Sequence, residues 1–456
     1  MKKVIIVGGG LSGSLLALYL ARRGYSIAIY EKRLDMRLSN IERGRSINLA
    51  ISKRGIYALE LLGIDDDIIK YTVPMYARMI HNITGECTKQ FYGRNKNEYI
   101  SAISRKDLNI VLLNHIDQKQ NISINFNHEV VDLDYDNQVI TILDKNNSKI
   151  VNDTGILIAA DGGPSIIRKK MIDRKIATFN MHTLKYGYKE LTLHRFYSGK
   201  LDRNCLHIWP RKRFMLIAIP DIVGSYTLTL FLAHEGKDEC FSKLATHQEI
   251  SKFFKTYFSD ISALITDLTK QFLDNPVGKL TTFRGGPWYY KDKVLLFGDA
   301  AHAIVPFFGQ GMNCAFEDCV VFDKLITDCK GNWEHVFKKF FLSRKPNTDA
   351  IAQMALDNFW EMSKYTGQKR FLLKKEIEKK LMERYGDLYI SSYVMVSFTT
   401  IEYRLAQICS NLQRDLLHDI CLTIERIEDL DWNLVDKKFH YYLNRLKQEK
   451  VKHFIL

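Results

Sequence analysis

The chain has 456 residues, 46% hydrophobic and 26% charged, with a net charge of +14, the balance of an ordinary globular protein long enough for two or three domains and a sizeable core. No run of 18 or more apolar residues occurs, which excludes a membrane-spanning helix, and the lysines are spread along the chain rather than gathered in a block, which argues against nucleic acid or an anionic membrane as partner. The eight cysteines form no C-x-x-C pair and Met1 leads almost directly into a strand-like run, so free thiols in a reducing, cytoplasmic setting are expected.

Residues 3–7, KVIIV, read as a buried parallel strand. Gly8-Gly9-Gly10-Leu11-Ser12-Gly13 follows at once, then a helix over 12–23, a second strand over 27–30 and an acid, Glu31. This is the dinucleotide fingerprint in its full context. Gly8 permits the tight turn, Gly10 lets a pyrophosphate approach the backbone, and Gly13 lets the helix pack on the strand. Glu31 is placed for a ribose, and Leu11, Ser12 and Lys32 complete the candidate cofactor contacts.

Arg45 and Asn48, in the segment 42–50, are equally suited to face a cofactor or to line a solvated loop. Ser104 caps an amphipathic helix that begins at Arg105 and carries Leu108, Val111, Leu112 and His115 on one face. A second strand-turn-helix pattern runs through 155–165, with Asp161-Gly162 in the turn and Arg168 beyond it. Residues 186–193, 205–209, 214–219 and 226–231 are strand-like and separated by Pro and Gly turns, which predicts a mainly antiparallel sheet.

The third strand-turn-helix pattern is Val294-Leu-Leu-Phe-Gly298-Asp299-Ala-Ala-His302, running on through Pro306, Phe307, Gly309, Gly311, Met312 and Asn313. Asp299 would stand at the carboxyl end of a strand and accept bonds from sugar-type hydroxyls. Gly309, Gly311 and the following helix N-terminus would offer N–H donors to an electron-rich ring or an oxyanion. Contacts at residue 8 and again at residue 299 imply one long ligand, and FAD fits both ends. From 331 to 456 only one Pro (346) and three Gly (331, 367, 386) occur, and Leu373, Ile377, Leu381 and Tyr385 recur at helical spacing; Lys447, Lys450 and Lys452 make the end too charged for an anchor.

Phe297-Gly298-Asp299-Ala300 resembles the Gly-Asp motif of FAD-dependent aromatic hydroxylases, and Asp161-Gly162 resembles their Asp-Gly motif, associated with FAD and the nicotinamide donor. Within that group the segments 44–50, 73–81, 99–105, 206–211 and 305–318 resemble the kynurenine 3-monooxygenases, over residues 3 to about 405. The last 50 or so residues depart: eukaryotic members carry an apolar anchoring tail, and this chain lacks one, as soluble bacterial members do.

The resemblance implies an α/β protein with three parts. They are a discontinuous Rossmann-like FAD-binding domain (1–180 and 275–330), an inserted, mainly antiparallel substrate sheet (181–274) and a helical region (331–456) closing over the substrate. It implies hydroxylation of L-kynurenine to 3-hydroxy-L-kynurenine with NADPH and O2, by way of a flavin hydroperoxide. By the same resemblance Arg78 and Tyr99 hold the amino-acid carboxylate, Asn358 and Tyr393 close over the substrate, and Pro306 and Phe307 lie against its ring. Asp299 binds the ribityl chain and Arg105 neutralises FAD. Ser363 stands where the family pattern has Arg. No acid–base residue and no metal is expected. A homodimer is left open, as is a related hydroxylase acting on another aromatic acid; a non-catalytic flavoprotein binding nucleic acid is the remaining alternative.

Overall fold

In the computed structural model, residues 3–38, 48–153, 155–365 and 369–449 are described; Arg45, Gly367, Lys450 and Lys452 lie outside them. The central sheet has six strands in the order Tyr289–Tyr290, Val294–Leu296, Ile156–Ala159, Lys3–Val7, Ser26–Glu31 and Ile122–Phe126, all parallel except the first. Val4, Ile5 and Ile6 are fully buried in one apolar core with packed helices and with the strands Glu129–Asp134 and Val139–Leu143. One of these helices, Leu11–Arg22, is buried along nearly its whole length against the helices Arg105–Asp117 and Gly311–Asp328.

This strand order explains why three distant sequence motifs act together. Lys3–Val7, Ile156–Ala159 and Val294–Leu296 are neighbours and point the same way, so the turns after them, at Gly8, Asp161 and Gly298-Asp299, meet at one edge of the sheet. The chain leaves Lys3–Val7 toward Ser26–Glu31 on one side, while Ile156–Ala159 flanks it on the other. That is the crevice where open α/β sheets bind ligands.

A second sheet stands over this crevice. Its seven strands run Gly278–Gly286, Thr178–Leu193, Tyr226–Ala233, Met215–Pro220, Cys205–Pro210, Ala77–His81 and Cys87–Phe91. Every pairing is antiparallel except that of Cys205–Pro210 with Ala77–His81. Sequence patterning placed only the four strand-like runs between 186 and 231 in this sheet. The hairpin 77–91 joins it from far upstream, a non-local pairing that leaves no local signal, and so carries Arg78 into the same layer.

From Gly311 on, the described chain is helical: Gly311–Asp328, Trp333–Trp360, Lys369–Tyr385, Ser392–Phe398, Tyr403–Cys421 and Trp432–Gln448, with a π-helical turn, Glu361–Tyr365, directly after the second. These helices share their own apolar core through Ile351, Ile377, Leu381, Tyr389, Met395 and Tyr403. Among the described residues no helix is long and apolar enough to cross a membrane. The cysteines are free.

Candidate active site

One cavity of about 1320 Å³ runs from the glycine turn, beneath the second sheet, to the C-terminal helices. Its two ends are built differently.

At the sheet edge the walls are backbone. Gly8 has φ +101°, and a Cβ there would lie 2.5 Å from the Ala160 carbonyl oxygen; a Cβ on Gly13 would run into the Gly8 carbonyl. Both glycines are demanded by the fold itself. Gly10 is not: its φ is an ordinary −75° and a Cβ on it would meet no protein atom within 4 Å, yet it lines the cavity and precedes the helix Leu11–Arg22. The first N–H groups of a helix have no carbonyl a turn earlier to bond, so this opening is a cradle for an anion. Leu11 and Ser12 line the cavity beside it, while Gly13 lies beneath.

Glu31 and Lys32 line the cavity at the end of the second strand. The Glu31 carboxylate accepts from Gly9 N at 2.8 Å and from Arg33 N and Nε at 2.9 and 2.8 Å. Burial works against its charge, but the Arg33 guanidinium and the two N–H groups hold it below the usual carboxylate range. Asp161 accepts from Ile166 N at 2.9 Å through Oδ2, and its Oδ1 is buried with no partner among the described residues. Burial raises its pKa. Arg168 pins the turn to its neighbour: Nη1 donates to the Ala300 carbonyl at 2.8 Å, Nη2 to the Gly163 carbonyl, and the guanidinium lies 3.7 Å from the centre of the Phe283 ring. Asp299, after Gly298 at φ +56°, presents an exposed carboxylate to the cavity at the first position of the helix Asp299–His302.

Gly311 and Met312 line the cavity where the helix Gly311–Asp328 begins. Asn313 does not. It is fully buried; its Oδ1 accepts from Ser52 N at 2.9 Å, and its Nδ2 donates to the Ala50 and Gly309 carbonyls at 2.9 and 2.8 Å. The side chain is therefore a brace between two loops, every polar atom of its amide being spent within the protein, so the expected cofactor contact falls to the backbone N–H in the first turn of the helix. Arg105 lines the cavity opposite Glu190, a residue that sequence reasoning missed. Burial raises the Glu190 carboxyl to about 7 against the opposing charge of Arg105.

At the far end the walls are side chains from five separate segments. Arg78 and Gln90 are paired across the hairpin, and Tyr92, two residues further, continues the ladder by donating its N–H to the Tyr76 carbonyl at 3.0 Å. The Arg78 guanidinium lies 5.4 Å from the Tyr92 ring centre and 5.2 Å from that of Tyr393, and the two rings stack at 4.9 Å. Among the described residues no carboxylate comes within ion-pair distance of Arg78. Glu361, whose charge feels Arg78, is paired with Lys375 at 3.5 Å. The Tyr92 hydroxyl is buried without a partner among the described residues, and burial pushes its pKa well up.

Tyr99 is not in this cavity. It is 40% exposed and packs its ring 5.2 Å from Tyr76 on the outer surface. The aromatic partner expected for Arg78 is therefore corrected from Tyr99 to Tyr92: hairpin pairing sets Tyr92 diagonally across from Arg78, whereas Tyr99 lies beyond the turn that follows.

Pro306 and Phe307, in the turn Pro306–Phe308, line the cavity between the two ends. Phe307 packs at 4.3 Å on Phe359 and 5.0 Å on Phe231, and its carbonyl accepts from Asn358 Nδ2 at 2.6 Å. Ser363 is buried and donates to the Phe359 carbonyl at 2.7 Å, tying the π-helical turn back to the helix Trp333–Trp360.

A family model described as "FAD binding domain" matches residues 1–334. The kynurenine 3-monooxygenase of Legionella pneumophila (strain Corby) is 44% identical over 446 residues, 98% of this chain and 99% of that one. The Dictyostelium discoideum protein of the same name is 39% identical over 97% of this chain and 99% of its own. Among solved structures, 2-methyl-3-hydroxypyridine-5-carboxylic acid oxygenase superposes with a TM-score of 0.66 at 18% identity, over 82% of this chain and 95% of that one, a likeness of fold. With one model matched across the whole sheet-edge half and relatives aligned over nearly their full length, the chain belongs to the kynurenine 3-monooxygenase family of FAD-binding hydroxylases.

Proposed function

We propose that the chain hydroxylates L-kynurenine at the ring carbon beside its amino group, giving 3-hydroxy-L-kynurenine, with NADPH as reductant and O2 as oxygen source. One observation carries the substrate reading. The Arg78 guanidinium, with no carboxylate at ion-pair distance among the described residues, stands beside the Tyr92 and Tyr393 rings in the cavity that Phe307 also lines. A ligand with a carboxylate at one end and an aromatic ring at the other satisfies both features, because a planar guanidinium donates two parallel, charge-assisted bonds to a carboxylate.

The residues at the sheet edge fit FAD: a cradle that a Cβ on Gly10 would fill, an orphaned Asp161 oxygen and the exposed Asp299 carboxylate. In this reading Gly10, Leu11 and Ser12 offer backbone to the pyrophosphate, Glu31 and Lys32 stand at the adenosine ribose, and Arg105 offsets phosphate charge. Asp161 and Asp299 accept from hydroxyls, and the N–H groups of Gly311 and Met312 face the ring system. When bound, the flavin takes up hydride from NADPH and activates oxygen for transfer.

The protein's own work is orientation and exclusion of water. Arg78 anchors the carboxylate, with the Tyr92 and Tyr393 hydroxyls as further donors. The rigid distance from Arg78 to Pro306 and Phe307 then fixes which ring carbon faces the cofactor. Asn358 holds the Phe307 carbonyl, tying that turn to the helical region above it. The ring amino group of the substrate already activates the neighbouring carbon, so no acid–base side chain is required.

The test is NADPH oxidation by the purified protein under air, with and without L-kynurenine, and the mass of the product. Fast oxidation only with kynurenine, yielding a product heavier by one oxygen, is expected. Oxidation indifferent to kynurenine but stimulated by another aromatic acid would transfer the reading to that substrate.

A further inference from the structure

Between the two ends of the cavity runs a chain of buried ionic groups that none of the roles above uses. It begins at Arg54, on the helix Lys53–Glu60, whose side chain is fully buried. Arg54 Nε donates to the Val396 carbonyl at 3.1 Å, Nη2 to the carbonyls of Ile401 and, at 3.5 Å, Met395, and the guanidinium lies 4.0 Å from the centre of the Tyr403 ring. These acceptors are the last carbonyls of the helix Ser392–Phe398 and the residues just beyond, groups a short helix cannot satisfy for itself. That helix carries Tyr393 into the pocket with Arg78.

In the other direction Arg54 Nη1 donates to Glu317, Glu317 pairs with Arg344 at 2.7 Å, and Arg344 Nε donates to Asp318 at 2.6 Å. Asp318 in turn meets His302 Nε2 at 2.6 Å, in the helix that Asp299 begins. A parallel strand of contacts passes from Tyr403, whose hydroxyl donates to Gln310 Oε1 at 2.8 Å, next to Gly311. Two guanidiniums against two carboxylates balance. Burial opposes the charge on Asp318, but His302 and Arg344 keep it ionised.

We propose that Arg54 is a positioning residue that sets the two ends of the cavity together, holding the Tyr393 helix through its carbonyls and the Asp299 turn through Glu317, Arg344, Asp318 and His302. An apolar side chain would tether these elements as firmly, since buried ion networks are commonly neutral for stability relative to well-packed apolar replacements. What the ionic chain adds is direction. Each fork has one set of acceptors, so displacing the helix breaks identifiable bonds and moves the turn, and filling the carboxylate pocket fixes the geometry at the cofactor. The inference rests on the proposed function only for the identity of the pocket's ligand.

The experiment measures amide hydrogen exchange in the FAD-loaded enzyme, with and without L-kynurenine, alongside peroxide formed per NADPH oxidised. In the unmodified protein kynurenine is expected to slow exchange both at residues 392–398 and at residues 299–311. In Arg54→Met, protection is expected to remain at the first segment, to vanish at the second, and to be accompanied by a ~3- to 10-fold larger peroxide share. Protection at both segments with unchanged peroxide in a variant that keeps FAD would overturn the proposal. Should Arg54→Met fail to fold, Glu317→Gln severs the chain one link later and leaves the carbonyl contacts of Arg54 in place; it is held to the same two outcomes. If the unmodified protein shows no response to kynurenine, the functional reading has failed. The coupling is then read by removing and reloading FAD: protection of 392–398 on loading, lost in either variant, supports it, and equal protection overturns it.

Discussion

The cavity's two ends solve recognition in opposite ways. At the sheet edge the walls are backbone: a glycine turn, two helix N-termini and carboxylates at strand ends, all set by three neighbouring strands. At the helical end the walls are side chains: Arg78, Tyr92, Phe307, Asn358 and Tyr393 come from five segments spread over more than 300 residues and share no local pattern. A site made of backbone tolerates no change in chain path and is indifferent to most side chains. A site made of side chains tolerates changes of path elsewhere but depends on each group. The difference predicts how each end fails.

The largest effect belongs to the backbone end. A Cβ on Gly13 would collide with the Gly8 carbonyl, a backbone atom that cannot yield without opening the turn. Gly13→Ala should therefore lose FAD more than ~100-fold and unfold at lower temperature as well. Gly10→Ala separates ligand from fold. Nothing in the protein opposes its methyl, so the FAD-free protein should melt as the unmodified protein does while FAD affinity, followed by flavin fluorescence, falls ~10-fold or more. Equal FAD affinity for Gly10→Ala would break the claim that this end is a backbone cradle.

Next comes the anchor of the other end. Removing the guanidinium in Arg78→Met strips a carboxylate of two charge-assisted bonds, worth ~100-fold in the dissociation constant for kynurenine, with FAD content unchanged. Equal losses of FAD and kynurenine would mean that the ends are not separable. A finer comparison sets Tyr92→Phe against Tyr99→Phe. The first removes a buried hydroxyl and should weaken kynurenine binding ~5- to 10-fold; the second alters an exposed ring outside the cavity and should change it less than ~2-fold. The reverse ranking would return the role to Tyr99.

That pair also shows where the sequence ran out. The backbone end was legible because its determinants are local: strand, glycines, helix and acid fall within about thirty residues, and the pattern recurs before Asp161 and Asp299. Asn313 stands in the same glycine-bearing run as its neighbours, and only the tertiary contacts with Ala50 and Ser52 reveal that its side-chain amide is spent and that its backbone N–H alone is left for a ligand. At the side-chain end resemblance named Arg78 but not the hairpin around it. Cys87–Phe91 shows no alternation that would have marked it as a strand; only Gly93, where a Cβ would collide with Glu98, marks the turn that ends it. Glu190 left no signal of any kind, because one acid in an antiparallel strand is ordinarily solvated.

Glu190 gives the smallest effect and tests whether the ends are independent where they meet. It lines the cavity on the strand Thr178–Leu193, two residues from Tyr188, whose ring lies 6.4 Å from that of Phe231 beside Phe307, and it faces Arg105 of the cofactor end. Burial carries its pKa from 4.5 to about 7, so between those values the folded protein holds a proton that the unfolded chain has released. Unfolded chains then bind fewer protons than folded ones, and stability falls as pH rises through that window, levelling off above it. The full shift would be worth ~3 kcal/mol, and solvent reaching the half-buried carboxyl leaves ~1–2 kcal/mol. Glu190→Gln removes the slope, so the melting temperature of the variant relative to the unmodified protein should climb by a few degrees from about pH 5 to about pH 7. Adding FAD should flatten the difference if its phosphates draw Arg105 away from Glu190 no further than they shield it. A difference that instead grows on loading would show that filling one end draws Arg105 from Glu190 and makes a charge in the shared wall costlier. Parallel melting curves without FAD would mean that water already solvates this carboxylate, and that the wall between the two ends is open there.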